Sequence, residues 1–174
     1  AVLRAGGNAI DASVATAAAL AVAIPFMNGL GGDAIALYAE APDWVCTING
    51  SGAVARSASV EAIRARGHEV MPLRGPCSVS VPGIVVAMGE ARDRFGTLPF
   101  AQLLEPAIAL AEEGVPADAA AVGFFNGPVY AVLAEEYPAL ATMFGSPGGW
   151  SLGRVIRQPA LAQTLRALAD RKST

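Results

Sequence analysis

Gly29, Gly31 and Ala34 in "FMNGLGGDAIALY" stand at the G-x-G-x-x-G/A spacing that cradles a dinucleotide pyrophosphate. That chemistry needs a strand before the glycines and a helix after them, because the helix N-terminus supplies the N–H donors. Here the order is reversed: a helical, apolar run enters and the β-like "AIALYA" leaves. No Walker-type lysine follows. The glycines are therefore read as a helix C-cap and turn, a corner where the backbone bends sharply and packs closely, and no cofactor is expected. The one histidine, His68, lies in the polar stretch "RARGHEV" and is read as a surface residue. A Ser/His/Asp triad or a histidine zinc site would have to be built around it, and no neighbour supports either, so no metal is expected. Cys46 and Cys77 have no metal-ligand spacing and are expected as two buried thiols.

Composition narrows the classes further. Of the 174 residues 53% are hydrophobic and 16% charged, and the mean hydropathy is +0.45, more apolar than the usual soluble domain. Either a membrane protein or a piece of a larger protein with core-like interfaces would look this way. The longest apolar run, Ala12 to Met27, is alanine-rich, shorter than the roughly 20 strongly apolar residues a bilayer needs, and lacks a basic flank. A buried helix is expected there, not a span. Nor does it resemble a signal peptide, since Asp11 heads it and Arg4 alone precedes it. Net charge −3, one lysine and eleven scattered arginines argue against nucleic acid. The chain begins "AVLRAGGN" and stops in "LRALADRKST", so a piece of a longer protein is expected, with its compartment open between periplasmic or secreted and cytoplasmic.

The elements that must position any chemistry are mixed α and β, without steady βαβ alternation. Asn8 can cap a helix through "AIDASVATAAALAVAI", with Asp11 reaching back as in a capping box. This helix is expected to be buried on most faces, and Pro25 ends it. Residues 34–39 and 44–48 read as two strands around the turn "EAPD", a candidate hairpin. A short helix follows, capped by Ser57 or Ser59 and ended by Gly67. "CSVSVPG" reads as a strand, "IVVAMGEARDRFG" as a helix, and "PFAQLLEPAIALAEEG" as a helix that Pro106 can divide. A helical region broken at "NGP", a turn-rich "FGSPGGWSLG" and a last helix with Pro159 in its first turn complete the chain.

Taken together these stretches resemble a known family. "GGNAIDASVATAAALAV…PFMNGLGGDAIALY" is similar to the opening of the large subunit of gamma-glutamyltranspeptidases. The likeness continues through "VSVPGIVVAMGEARDRFGTLPFAQLLEPAIALAEEGVPA" to "QPALAQTLRALA", from Val2 to Asp170. The resemblance implies an α+β N-terminal-nucleophile hydrolase fold, an αββα sandwich, of which residues 1–174 form one partial domain of the large subunit. It implies self-cleavage to free a threonine, whose hydroxyl attacks γ-glutamyl or related acyl amides such as glutathione with its own α-amine as base. Water, an amino acid or a peptide then takes the acyl group. That threonine belongs to a small subunit, the expected partner. No catalytic residue is expected in this chain, which should be inert alone, and Thr174 matches by type but not by position.

The departure from the family pattern is local. A stretch resembling L-D-x-R-E-x-A-P supplies the family's arginine for the glutamyl α-carboxylate, a role suited to a planar, bidentate fork. Here it reads "INGSGAVA", so Ser51 stands at the arginine position and Gly52 at the acid, beside Gly50. Gly50, Ser51 and Gly52 are the candidate substrate-binding residues. The expectation stays divided: an acylase for donors lacking that carboxylate arrangement, compensation by a nearby arginine such as Arg56, or loss of glutamyl amide processing. A non-catalytic relative that serves as a scaffold or assembly half is the alternative to an enzyme, and Ser51 could equally be a turn residue without a ligand.

Overall fold

The computed structural model describes residues 1–41 and 43–170. In chain order the elements are a short 3-10 helix, Val2–Ala5, then α1 (Ala9–Ala23), β1 (Ala34–Ala41), β2 (Trp44–Gly50) and α2 (Val60–Ala65). A 3-10 turn, Pro76–Ser78, leads to α3 (Ile84–Phe95) and α4 (Phe100–Glu113). There follow β3 (Val115–Pro116), α5 (Ala119–Phe125), α6 (Pro128–Glu136), α7 (Pro138–Phe144), β4 (Val155–Ile156) and α8 (Pro159–Ala169). Two compact units result: one of residues 1–29 and 95–174, the other of residues 30–94. None of the described helices is long and apolar enough to cross a membrane.

The first unit is helical. Asn8 Oδ1 accepts the N–H groups of Ile10 and Asp11, while Asp11 accepts that of Asn8, closing the capping box expected from the spacing. Asp11 is fully buried, and its carboxylate also receives the backbone N–H and the hydroxyl of Thr97, the latter at 2.7 Å. One acidic side chain thus fixes both the start of α1 and the loop before α4. Val14, Ala18 and Val22 of α1, Leu103, Leu104 and Ala107 of α4, and Ala162 and Leu165 of α8 form the core. Small residues on α1 suit close packing against α4, and α4 in turn packs on α8. Gln158 closes the far end by donating from Nε2 to the Val22 carbonyl at 2.8 Å, which satisfies an otherwise orphaned helix-end acceptor.

A second cluster in this unit is aromatic. Phe125 stacks on Trp150 with centroids 4.2 Å apart, and the Arg154 guanidinium carbon lies 4.3 Å from the indole centroid. The Tyr130 hydroxyl, at the buried heart of the cluster, donates to the Gly145 carbonyl at 2.7 Å.

The α1 helix is buried or half-buried on all but one face, where Ala9, Ser13, Thr16 and Leu20 form an exposed stripe at helical spacing. One expectation needs correction here. Pro106 lies inside α4 without dividing it. It removes one N–H whose partner would be the Gln102 carbonyl, and the buried Leu103, Leu104, Ala107, Ile108 and Ala111 hold the helix together across it.

The second unit is built on a hairpin. β1 and β2 pair antiparallel from Ala34↔Gly50 to Ala41↔Trp44, with an irregularity between Ala39 and Ala41. The expected turn includes Pro42, which lies outside the described residues. Ile48 is buried, whereas Ile35, Leu37 and Val45 are exposed. Ser59 is the residue that caps α2, and Gly67 follows its end at φ +85°. "CSVSVPG" does not form a strand: the Val81 N–H reaches the Ala53 carbonyl and the Gly83 N–H the Gly32 carbonyl, but no ladder develops around them. The two thiols are half-buried and free, each beside an arginine, with Arg94 Nη2 at 2.8 Å from Cys46 Sγ and Arg66 Nη1 at 3.1 Å from Cys77 Sγ.

Candidate functional site

The hairpin register decides what surrounds the "NGSG" bend. With Ala34 opposite Gly50, the residue before β1 and the residue after β2 must lie side by side. Asp33 accordingly faces the bend, and its Oδ1 accepts the Gly52 N–H at 2.9 Å. The Ser80 hydroxyl lies 3.5 Å from the same oxygen. Ser51 donates its own N–H to Asn49 Oδ1 at 3.0 Å, a local turn in which the side chain substitutes for backbone.

The glycines of the bend are there for space. A Cβ on Gly52 would sit 1.9 Å from the Val81 carbonyl oxygen, and one on Gly83 would sit 2.0 Å from that of Gly50. On Gly50 it would meet the Ala87 Cβ at 2.5 Å. Two backbone segments, residues 50–52 and 81–83, therefore touch where no side chain fits. The N–H groups of Gly83 and Ile84 both donate to the Gly32 carbonyl at 3.1 and 3.0 Å, which ties the start of α3 to the same corner. Ser51 is exposed beside this knot.

The glycine stretch itself behaves differently from the expectation. The helix before it ends at Ile24, the C-cap, so the glycines are not its cap. Gly29 and Gly31 have no positive φ, and a Cβ on either would meet nothing within 4 Å. Close packing occurs one step later, at the Gly32 carbonyl and at Gly50, Gly52 and Gly83. The crowded glycines, not the fingerprint glycines, shape the candidate site.

Of the sequence candidates, the structure brings Gly50, Ser51 and Gly52 together with Asp33, Asn49 and Ser80. Arg56 is exposed five residues further on. His68 is half-buried; its N–H bonds to the Ile63 carbonyl and it borders a groove of about 400 Å³ with Arg64 and Glu69. Among the described residues no group of histidine, cysteine or acidic side chains could hold a metal ion. Thr174 lies outside the described residues. Sequence reasoning missed Asp33; the signal was its place directly before a strand whose hairpin partner ends in the bend.

A family model described as gamma-glutamyltranspeptidase matches residues 1–173. The oxamate amidohydrolase proenzyme of Klebsiella pneumoniae is 39% identical over 183 residues, covering 98% of this chain and 33% of that protein. The glutathione hydrolase proenzyme of Pseudomonas aeruginosa is 35% identical, covering 98% of this chain and 30% of that protein. Among solved structures, the cephalosporin acylase from Bacillus halodurans superimposes with a TM-score of 0.87 at 37% identity, over 97% of this chain and 32% of that one. Helicobacter pylori gamma-glutamyltranspeptidase gives 0.86 at 27% identity, over 97% and 49%. The chain thus spans about a third of the length of the curated relatives it matches, and over that span it has the fold of these enzymes.

Proposed function

The chain belongs to the gamma-glutamyltranspeptidase family, and on that premise we propose that it forms part of an N-terminal-nucleophile amidohydrolase cleaving γ-glutamyl or related acyl amides. A threonine at the N-terminus of a small subunit attacks the amide carbonyl, with its α-amine as general base. The amine leaves, and water, an amino acid or a peptide takes the acyl group from the enzyme. The present chain supplies a wall of the acyl site. The observation that carries the reading is the match over residues 1–173 together with relatives named amidohydrolase, glutathione hydrolase and acylase.

Ser51 marks the donor's acyl end. A serine offers one neutral hydrogen bond, about 0.5–1.5 kcal/mol net, where a charged partner gives about 1.5–3. A difference near 1.4 kcal/mol is tenfold in affinity, so a carboxylate at that end gains about tenfold less than it would from an arginine, and donors without one compete better. Ile35, Leu37 and Val45, exposed on the hairpin, support a second subunit covering that face.

The test uses the full-length gene product. Two chains on a denaturing gel, with release of nitroaniline from an acyl or weakly from a γ-glutamyl anilide, is the expected result. A protein that stays one polypeptide and hydrolyses no amide would be a non-catalytic scaffold, and the proposal would fall.

A further inference from the structure

We propose that Asp33 is the positioning residue of the Ser51 bend and gives that end of the donor site its negative charge, selecting against donors that carry a carboxylate there. The inference rests on the reading of Ser51 as part of the acyl site.

The geometry of the corner carries it. Beyond the Ala34↔Gly50 pair the ladder stops, and the next cross-strand bond comes from a side chain: Asp33 Oδ1 to the Gly52 N–H at 2.9 Å. An ionised acceptor makes a backbone N–H bond stronger than a neutral carbonyl would. Gly50 and Gly52 are held by contact with residues 81–83, and the Ser51 N–H is held by Asn49. What the bend can still present is the Ser51 side chain, and the direction of that side chain follows from the peptide whose N–H Asp33 grips.

The charge follows from the same placement. The sequence has neither a cation nor an acid at 51 and 52, yet the Asp33 carboxylate arrives from the neighbouring strand and lies against Gly52. A donor carboxylate brought to Ser51 would meet this like charge within a few ångströms. Asp33 is solvent-exposed, so the penalty is moderated by water and amounts to about threefold to tenfold in binding.

The test compares Asp33→Asn and Asp33→Ala in the full-length protein. Asparagine keeps an oxygen for the Gly52 N–H and removes the charge; alanine removes both. Deuterium uptake of the peptide covering residues 48–55 should rise in Asp33→Ala and stay at the wild-type level in Asp33→Asn. Two anilide donors differing only in the α-carboxylate, γ-glutamyl and 4-aminobutyryl, read the charge. Asp33→Asn should raise the γ-glutamyl to 4-aminobutyryl ratio of kcat/KM about threefold to tenfold, mainly through KM. Asp33→Ala should lower kcat/KM for both donors. Unchanged uptake in Asp33→Ala overturns the positioning role, and an unchanged ratio in Asp33→Asn overturns the charge role. If the wild-type enzyme turns over neither donor, the charge role falls, while the proposed activity stands or falls on whether any acyl anilide is hydrolysed. The uptake comparison then still decides whether Asp33 holds the bend.

Discussion

Replacing Asp11 by alanine should cost the protein about 3–5 kcal/mol. The side chain is fully buried and accepts from Asn8 N–H at 2.9 Å, Thr97 Oγ1 at 2.7 Å, Thr97 N–H at 3.1 Å and Leu98 N–H at 3.4 Å. Losing the acidic half of the capping box costs about 0.5–2 kcal/mol. Leaving the Thr97 amide and hydroxyl without an acceptor adds about 1–3 kcal/mol for each group that water does not reach. Against a total stability of about 5–15 kcal/mol, this is a large share. Urea unfolding of the full-length protein, followed by circular dichroism, should show the midpoint falling by about 1 M or more. Asp11→Asn, which keeps one acceptor oxygen but turns an NH₂ toward donors, should fall between. A double-mutant cycle with Thr97→Val should show clear non-additivity, since the two side chains share one bond. A loss below about 1 kcal/mol for Asp11→Ala, or simple additivity in the cycle, would refute the account. The pH dependence has a defined sign. Burial pushes the carboxyl up, but the Thr97 hydroxyl and the N–H groups of Asn8, Thr97 and Leu98 together outweigh it, so its pKa lies below the ordinary 3.8. The stabilisation is therefore complete above that ordinary value and is lost as pH falls through the lower, folded value.

Other outcomes follow from the same contacts. Gly52→Ala and Gly83→Ala should each displace residues 80–83 from the bend, because a Cβ would lie 1.9 and 2.0 Å from a backbone oxygen; limited proteolysis within residues 48–84 should speed up. Ser51→Arg should improve KM for a γ-glutamyl donor about tenfold if the acyl end lies at the bend, and an unchanged or worsened KM counts against that placement. Tyr130→Phe should cost about 0.5–1.5 kcal/mol, the net worth of its bond to Gly145, measurable by thermal unfolding. Burial raises the Tyr130 pKa above 10.0, with Arg154 opposing weakly. Its contribution is therefore present below pH 10 and is lost as pH rises through the folded value.

What the sequence made legible was local. Asn8 and Asp11 are three residues apart, so the cap of α1 could be read directly, as could Pro159 at the start of α8 and the two strands of the hairpin. The same locality explains what was hidden. Thr97 is 86 residues from Asp11 and Ser80 is 47 from Asp33, and no periodicity announces such contacts. "CSVSVPG" has strand-like residues, but a strand also needs a neighbour offering a row of donors and acceptors, and only isolated bonds form there. The pairing of β3 with β4 involves two residues on each side, too few to leave a pattern. In the candidate site, the three bend residues could be named from the family motif. Asp33, which accepts the Gly52 N–H, emerged only once the strand register was known.

That register also separates the two ends of the hairpin. From Ala34 to Ala41 the ladder runs seven steps, roughly 23 Å at about 3.3 Å each. Residues inserted between Ala41 and Trp44 would lengthen the tip and leave every rung near Gly50 in place, so a reporter peptide could be carried there without disturbing Ser51. Deleting one residue of β2 between Trp44 and Ile48 would be far more damaging, since it would shift the alternation of that strand against β1 and bring a different residue to the place of the buried Ile48.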